Sequence, residues 1–215
     1  MLLKKILLPL FLICLFFGSS SVALADQTPL ERVKEGTEKL ISMLSDPDMV
    51  NPEQHDAAIT RLRKASEEYI DFGLVTKYAI GKPWLQMSPE LRVDLTEAFI
   101  QLLERSYLQR IPAYNGEKVD YKKELVSGDK AKVFTEIIDE DKKIVVEFRL
   151  KIVHGEWMIY DVVAEGVSLV MNYRSQFSAV LKDGTPEDLL KLIQERVEKL
   201  DRNDPDEQDK EEPAS

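Results

Sequence analysis

The sequence predicts an α+β fold in which helices cover the apolar face of a four-stranded antiparallel sheet. Two observations predict it. Four segments open with a capping side chain followed by proline and at least one acid: Thr28-Pro29-Leu30-Glu31, Asn51-Pro52-Glu53-Gln54, Ser88-Pro89-Glu90-Leu91 and Thr185-Pro186-Glu187-Asp188. From Val119 to Val163, by contrast, apolar residues recur with period two. Helices thus fill the first half and the end of the chain, with strands between, which is a layered arrangement of helices on one face of a sheet.

At the N-terminus, Lys4 and Lys5 precede an apolar run from Ile6 to Phe17 and then Ala23-Leu24-Ala25. This is the order of a secretory signal, so residues 1–25 are expected to be a cleaved signal peptide. The apolar run is too short for the ~20 residues of a membrane span. The single cysteine, Cys14, lies inside it, so the mature chain is expected to rely on an ordinary core without disulfides or thiolate chemistry.

At each of the four starts a side-chain oxygen caps exposed N–H groups, proline sits where its missing N–H matters least, and acids favour the positive end of the dipole. The residues after each start have helical period: Leu30, Val33, Leu40, Ile41 and Leu44; Ala58, Leu62, Ala65 and Tyr69; Leu91, Leu95, Ala98, Phe99 and Leu102; Leu189, Ile193, Val197 and Leu200. Between the second and third of these, Phe72, Val75, Tyr78 and Ala79 predict a short extra helix stopped by Gly81. In the strand region Ile144, Val146, Phe148, Leu150 and Ile152 alternate with Val145, Glu147, Arg149, Lys151 and Val153, giving a dry face and a wetter one. Ser127-Gly128-Asp129, Asp139-Glu140-Asp141 and His154-Gly155 mark the hairpin turns. After Leu200 the chain carries seven acids against two bases and no large apolar residue. Residues 201–215 are therefore expected to form a disordered acidic tail, and residues 26–200 a single domain.

Composition narrows the function. A formal net charge of −10, or about −12 once Lys4 and Lys5 are removed, opposes sequence-independent binding to nucleic acid or to anionic lipid surfaces. Only two histidines are present. His154 falls in a tight turn and His55 in a first helical turn, so neither suggests an acid–base catalyst. No nucleophile elbow, H-E-x-x-H helix or phosphate loop occurs, and no enzyme, metal or cofactor is expected.

The most specific stretch is Trp157 to Phe177, WMIYDVVAEGVSLVMNYRSQF, a strand feeding directly into a helix. Its pattern W-x-x-Y-D-V-x-x-E-G-V-S-L with N-Y-R-x-Q-F after it resembles the corresponding part of the MlaC, or toluene-tolerance auxiliary, family. The likeness includes the glycine shortly before a tryptophan at Gly81 and Trp84. Members carry phospholipids through the periplasm of double-membraned bacteria and maintain outer-membrane asymmetry. The resemblance implies a nuclear-transport-factor-2-like cone whose hollow holds acyl chains. It also implies a soluble periplasmic carrier, expected to be monomeric, with phospholipid as cargo. Its implied partners are an inner-membrane MCE-protein ABC transporter and an outer-membrane lipoprotein complex.

Two chains of about 15 methylenes, at ~0.8 kcal/mol each, need an enclosure near or above the top of the ~300–1,000 Å³ range of ordinary pockets. Helical spacing does not distinguish a filled core from a lined cavity. With the resemblance, the wall candidates are Phe72, Val75, Tyr78, Phe99, Leu102, Leu103, Tyr107, Val146, Phe148, Leu150, Ile159, Val167, Leu169, Val170, Tyr173 and Phe177. Strict alternation places Asp161 on the face of Trp157 and Ile159. Its expected role is an ion pair with Arg174 or a hydrogen bond to backbone at the strand-to-helix junction, and Arg174 could instead meet a lipid phosphate. Two rival functions remain: an isomerase or dehydratase on the same cone, using Asp161 with Tyr107 or Tyr173, and a periplasmic protein-binding module.

Overall fold

Thr28 shows how the helix starts are built. Its hydroxyl accepts from the Glu31 amide at 3.2 Å while the Glu31 carboxylate accepts from the Thr28 amide at 2.9 Å, a reciprocal cap that opens α1, Pro29–Leu44. The same device, Thr185 with Asp188, opens α6, Pro186–Asp201. Ser88 caps α4, Pro89–Ser106, and Asp71 caps α3, Phe72–Ile80. The second expected start is corrected. Asn51 turns its side chain onto the Glu53 amide at 3.1 Å, so α2, His55–Ser66, begins later, with Gln54 in the N-cap position and no side-chain cap. These helices belong to a computed structural model that describes residues 27–51, 53–107, 116–139 and 142–202. The signal-peptide segment 1–25 and the tail from 203 onward lie outside the described residues. The expected tail boundary falls within the last turn of α6, which includes Asp201.

The sheet has five strands where four are predicted. β1 (Lys118–Ser127), β2 (Lys130–Asp139), β3 (Lys142–Val153), β4 (Glu156–Ala164) and β5 (Val167–Ser168) lie side by side in chain order, each antiparallel to the next. The fifth is two residues long, too short to show alternation. It leads straight into α5, Leu169–Asp183.

One irregularity in the register matters most. Arg149 pairs with Asp161, but Leu150 pairs with Ile159, which leaves Tyr160 as an extra residue in β4. Directly paired residues share a face. Trp157 and Ile159 therefore point with Ile152 and Leu150, while past the bulge Val162 and Ala164 point the same way, opposite Phe148 and Val146. Asp161 and Val163 turn to the other face. The parity that groups Asp161 with Ile159 is thus broken by one residue.

The interior divides into three packed regions. On the sheet, Val33 of α1 and Tyr69 pack with Val133, Leu150, Trp157 and Ile159. Gly36 is what lets Tyr69 approach α1, since a Cβ there would lie 2.8 Å from the ring. A second core joins α3, α4, α5 and α6 around Phe99, Tyr173 and Phe177. The third is a small cluster between α1 and α2, with Met49, Ile59 and Leu62 against Leu40 and Leu44. Backbone bonds from the Ile159 amide to the Tyr69 carbonyl at 2.8 Å and from the Asp71 amide to the Ile159 carbonyl at 3.0 Å pin the segment before α3 to β4.

Candidate functional site: an apolar cavity between the helical hairpin and the end of the sheet

Where these three regions fail to meet, a cavity of about 420 Å³ remains. One side is α1 and α2, through Leu40, Leu44, Leu62, Arg63 and Ser66. Ile70, between α2 and α3, and Phe72, the first residue of α3, also line it, and α4 with its C-cap contributes Ile100, Leu103, Glu104 and Tyr107. The far wall is the β4–β5–α5 corner, with Val162, Ala164, Val167, Leu169 and Asn172. Val167 is 37 % exposed, so the corner meets solvent there.

α4 makes this possible because it is apolar on two sides. Leu95, Phe99 and Leu102 face the helical core, and Ile100, Leu103 and Tyr107, at helical spacing, face the cavity.

The polar side chains in the wall have protein partners. Arg63 reaches Glu67 at 3.2 Å and Glu104 at 3.6 Å, and Glu104 also meets Arg105 at 2.8 Å. The Ser66 hydroxyl donates to the Arg63 carbonyl at 2.6 Å, and the Asn172 side chain accepts from Gln176 at 3.3 Å. What remains is hydrocarbon surface. Such a site shelters methylene groups from water, at ~0.8 kcal/mol for each one buried.

The sequence-derived wall is only partly here. Phe72, Leu103, Tyr107, Val167 and Leu169 line the cavity. Val75, Phe99, Leu102, Val170, Tyr173 and Phe177 instead fill the helical core. There Phe99 meets Tyr173 edge-on at 4.8 Å and Phe177 at 5.1 Å, a close-packed arrangement of rings. Leu150, Ile159 and Phe148 belong to the sheet core. Val146 is buried and is not among the cavity-lining residues, and Tyr78 leans on Tyr160 at 4.9 Å. The enclosure is consequently smaller than expected, in the lower half of the ~300–1,000 Å³ range. Leu40, Leu44 and Leu62 were legible as apolar helix faces but not as wall. Val162 and Ala164 were hidden by the bulge.

Asp161 and Arg174 do not pair. Asp161, 3 % exposed, accepts from Arg149 Nη1 at 3.0 Å, from the Ser168 hydroxyl at 2.7 Å and from the Val170 amide at 3.0 Å. The bulge is what puts it opposite Arg149. Arg174 points instead to the end of α3, donating to the Tyr78 carbonyl at 3.3 Å, where unpaired carbonyls attract a cation. Its guanidinium lies over Gly81, where a Cβ would be 2.8 Å from Nη2. Arg174 does not line the cavity.

Arg149 also binds Glu147 at 2.7 Å. Burial raises the Glu147 carboxyl, but hydrogen bonds and charge from Arg149 and Lys132 outweigh it and hold the group below the ordinary glutamate value. Burial likewise opposes the Arg149 charge, yet Glu147 and Asp161 raise that guanidinium overall. Burial pushes the Tyr160 phenol up, with Tyr78 adding to the effect.

The chain is similar to the protein of Haemophilus influenzae named intermembrane phospholipid transport system binding protein MlaC, with 22% identity over 199 residues, 90% of this chain and 93% of that one. The fold matches the solved structure of the phospholipid-binding protein from Ralstonia solanacearum in complex with a phospholipid, at a TM-score of 0.71 and 23% identity. That match covers 79% of this chain and 97% of the other. The sequence model of the family described as MlaC protein spans residues 34–195, nearly all of the helices and strands of the fold, and the chain belongs to that family.

Proposed function

We propose that this protein is a soluble periplasmic phospholipid carrier that shelters acyl chains in the cavity between the α1–α2 pair, α4 and the β4–β5–α5 corner. It performs no covalent chemistry, and phospholipid is its cargo rather than a cofactor. The observation that carries the reading is a cavity walled almost wholly by apolar side chains in an MlaC-family fold. The names of the two relatives, one a phospholipid transport binding protein and the other solved with phospholipid, support it.

The isomerase or dehydratase reading is less well supported. Asp161 already takes three donors and is not among the cavity-lining residues. A protein-binding module with a filled interior does not account for the cavity.

In this proposal lipid passes between an inner-membrane MCE-protein ABC transporter and an outer-membrane lipoprotein complex, the carrier acting as a monomer. A volume of about 420 Å³ is small for two acyl chains, so the walls move apart to admit them. Helix α2 is the part suited to move, since α1 is held to the sheet through Val33 whereas α2 packs on α1 in a small core and reaches α4 through the Arg63–Glu104 contact at 3.6 Å.

Native mass spectrometry and organic extraction of protein purified without denaturant test the function. Phospholipid in near-stoichiometric amount is the expected result. Protein that emerges empty, and that extracts no lipid from vesicles, would sink the carrier reading.

A further inference from the structure

The β4–β5–α5 corner forms a whole wall of the cavity, yet it is built from a two-residue strand and a tight turn. Glu165 in that turn has φ 50, a left-handed conformation uncommon outside glycine. A segment so short needs something to hold it. Two tethers do so. Glu165 exchanges bonds with Val145, its carboxylate accepting from the Val145 amide at 2.6 Å and its own amide donating to the Val145 carbonyl at 2.9 Å. The other tether is Asp161.

The Asp161 carboxylate joins three elements at one buried point. Arg149 comes from β3, the Ser168 hydroxyl from β5 and the Val170 amide from the first turn of α5. Ser168 Oγ in turn accepts from the Met171 amide at 3.0 Å, so the chain of bonds continues into the helix start. A carboxylate suits both the arginine and the positive end of the α5 dipole. Val167 and Leu169, the neighbours of Ser168 on either side, are cavity wall.

We propose that Asp161 is a positioning residue for the cavity: acting through Ser168 and the Val170 amide, it fixes the β5–α5 corner so that Val167 and Leu169 stay against the bound hydrocarbon. This rests on the carrier reading. Arg149 has Glu147 as a second partner, so a substitution at Asp161 is expected to act chiefly on the corner.

The test uses delipidated full-length protein loaded with a phosphatidylethanolamine bearing one fluorescent acyl chain, and tracks its release to acceptor vesicles. Ser168→Ala and Asp161→Asn are expected to release the lipid about tenfold faster than the parent, the size implied by losing a hydrogen bond to a charged group. Ser168→Thr, which keeps the hydroxyl, should restore slow release. Ile193→Val, in α6 and not among the cavity-lining residues, is the control for lowered stability and should release at the parent rate. Where Asp161→Asn fails to fold, Ser168→Ala decides. Parent-like release from Ser168→Ala, or equally fast release from Ile193→Val, overturns the positioning role while leaving the carrier reading intact. A parent that takes up no lipid in the same assay overturns both.

Discussion

The helical core around Phe99, Tyr173 and Phe177 and the cavity beside it are made from the same kinds of residue at the same spacing, and α4 serves both. On one side of this helix, Phe99 and Leu102 pack in a buried cluster with residues of α5 and α6. On the other, Ile100 and Leu103 meet a gap of about 420 Å³. The difference lies in what stands opposite. α5 and α6 present rings and leucines that interlock with the core side, whereas α1 and α2 pack on each other and reach α4 through the Arg63–Glu104 contact, with the cavity beside it. An apolar stripe therefore records a need for cover, and the neighbouring elements determine whether the cover is protein or something bound.

The largest loss of stability is expected at Phe177, which is fully buried. Phe177→Ala is expected to cost about 3–5 kcal/mol in urea unfolding of delipidated protein. A loss under about 1 kcal/mol would mean that this core is as loosely filled as the cavity.

Enlarged side chains should have a smaller effect that differs between the two regions. Leu150 lies in the sheet core at 0 % exposure, so Leu150→Trp should cost ~1–3 kcal/mol or more through strain. Leu103 lines the cavity, and Leu103→Trp should change stability by less than ~1 kcal/mol while lowering lipid occupancy in native mass spectra. If the two tryptophan variants lose equal stability, the distinction between filled and hollow regions fails.

The smallest effect lies on the sheet face turned away from the cavity, where charges replace methylenes. The Glu147 carboxyl is held below its ordinary value in the folded protein. The stabilisation from that lowering is present above the unfolded-state pKa and is lost as pH falls through the lower folded-state value. Glu147→Gln should cost at most ~1 kcal/mol near neutral pH, and the gap between parent and variant should close in acid. A gap that stays constant down to the acid end would show that packing rather than charge sets the contribution of Glu147.

The amino-acid order by itself determined the local pieces: the caps at Thr28, Ser88 and Thr185, the short helix ending at Gly81, the alternation of β3, and the α+β layering that results from them. Each depends on residues within a few positions of one another, so each is written along the chain. It also marked Asp161 and the strand-to-helix junction as unusual. Only the tertiary structure decided that Arg149, not Arg174, lies against Asp161, because an extra residue at Tyr160 shifts the register in a way that side-chain alternation does not reveal. Only the tertiary structure, likewise, assigned Phe177 to a filled core and Leu103 to a hollow. Both positions have the same hydrophobic period, and whether space remains beside them depends on helices distant in sequence whose approach is governed by their own packing.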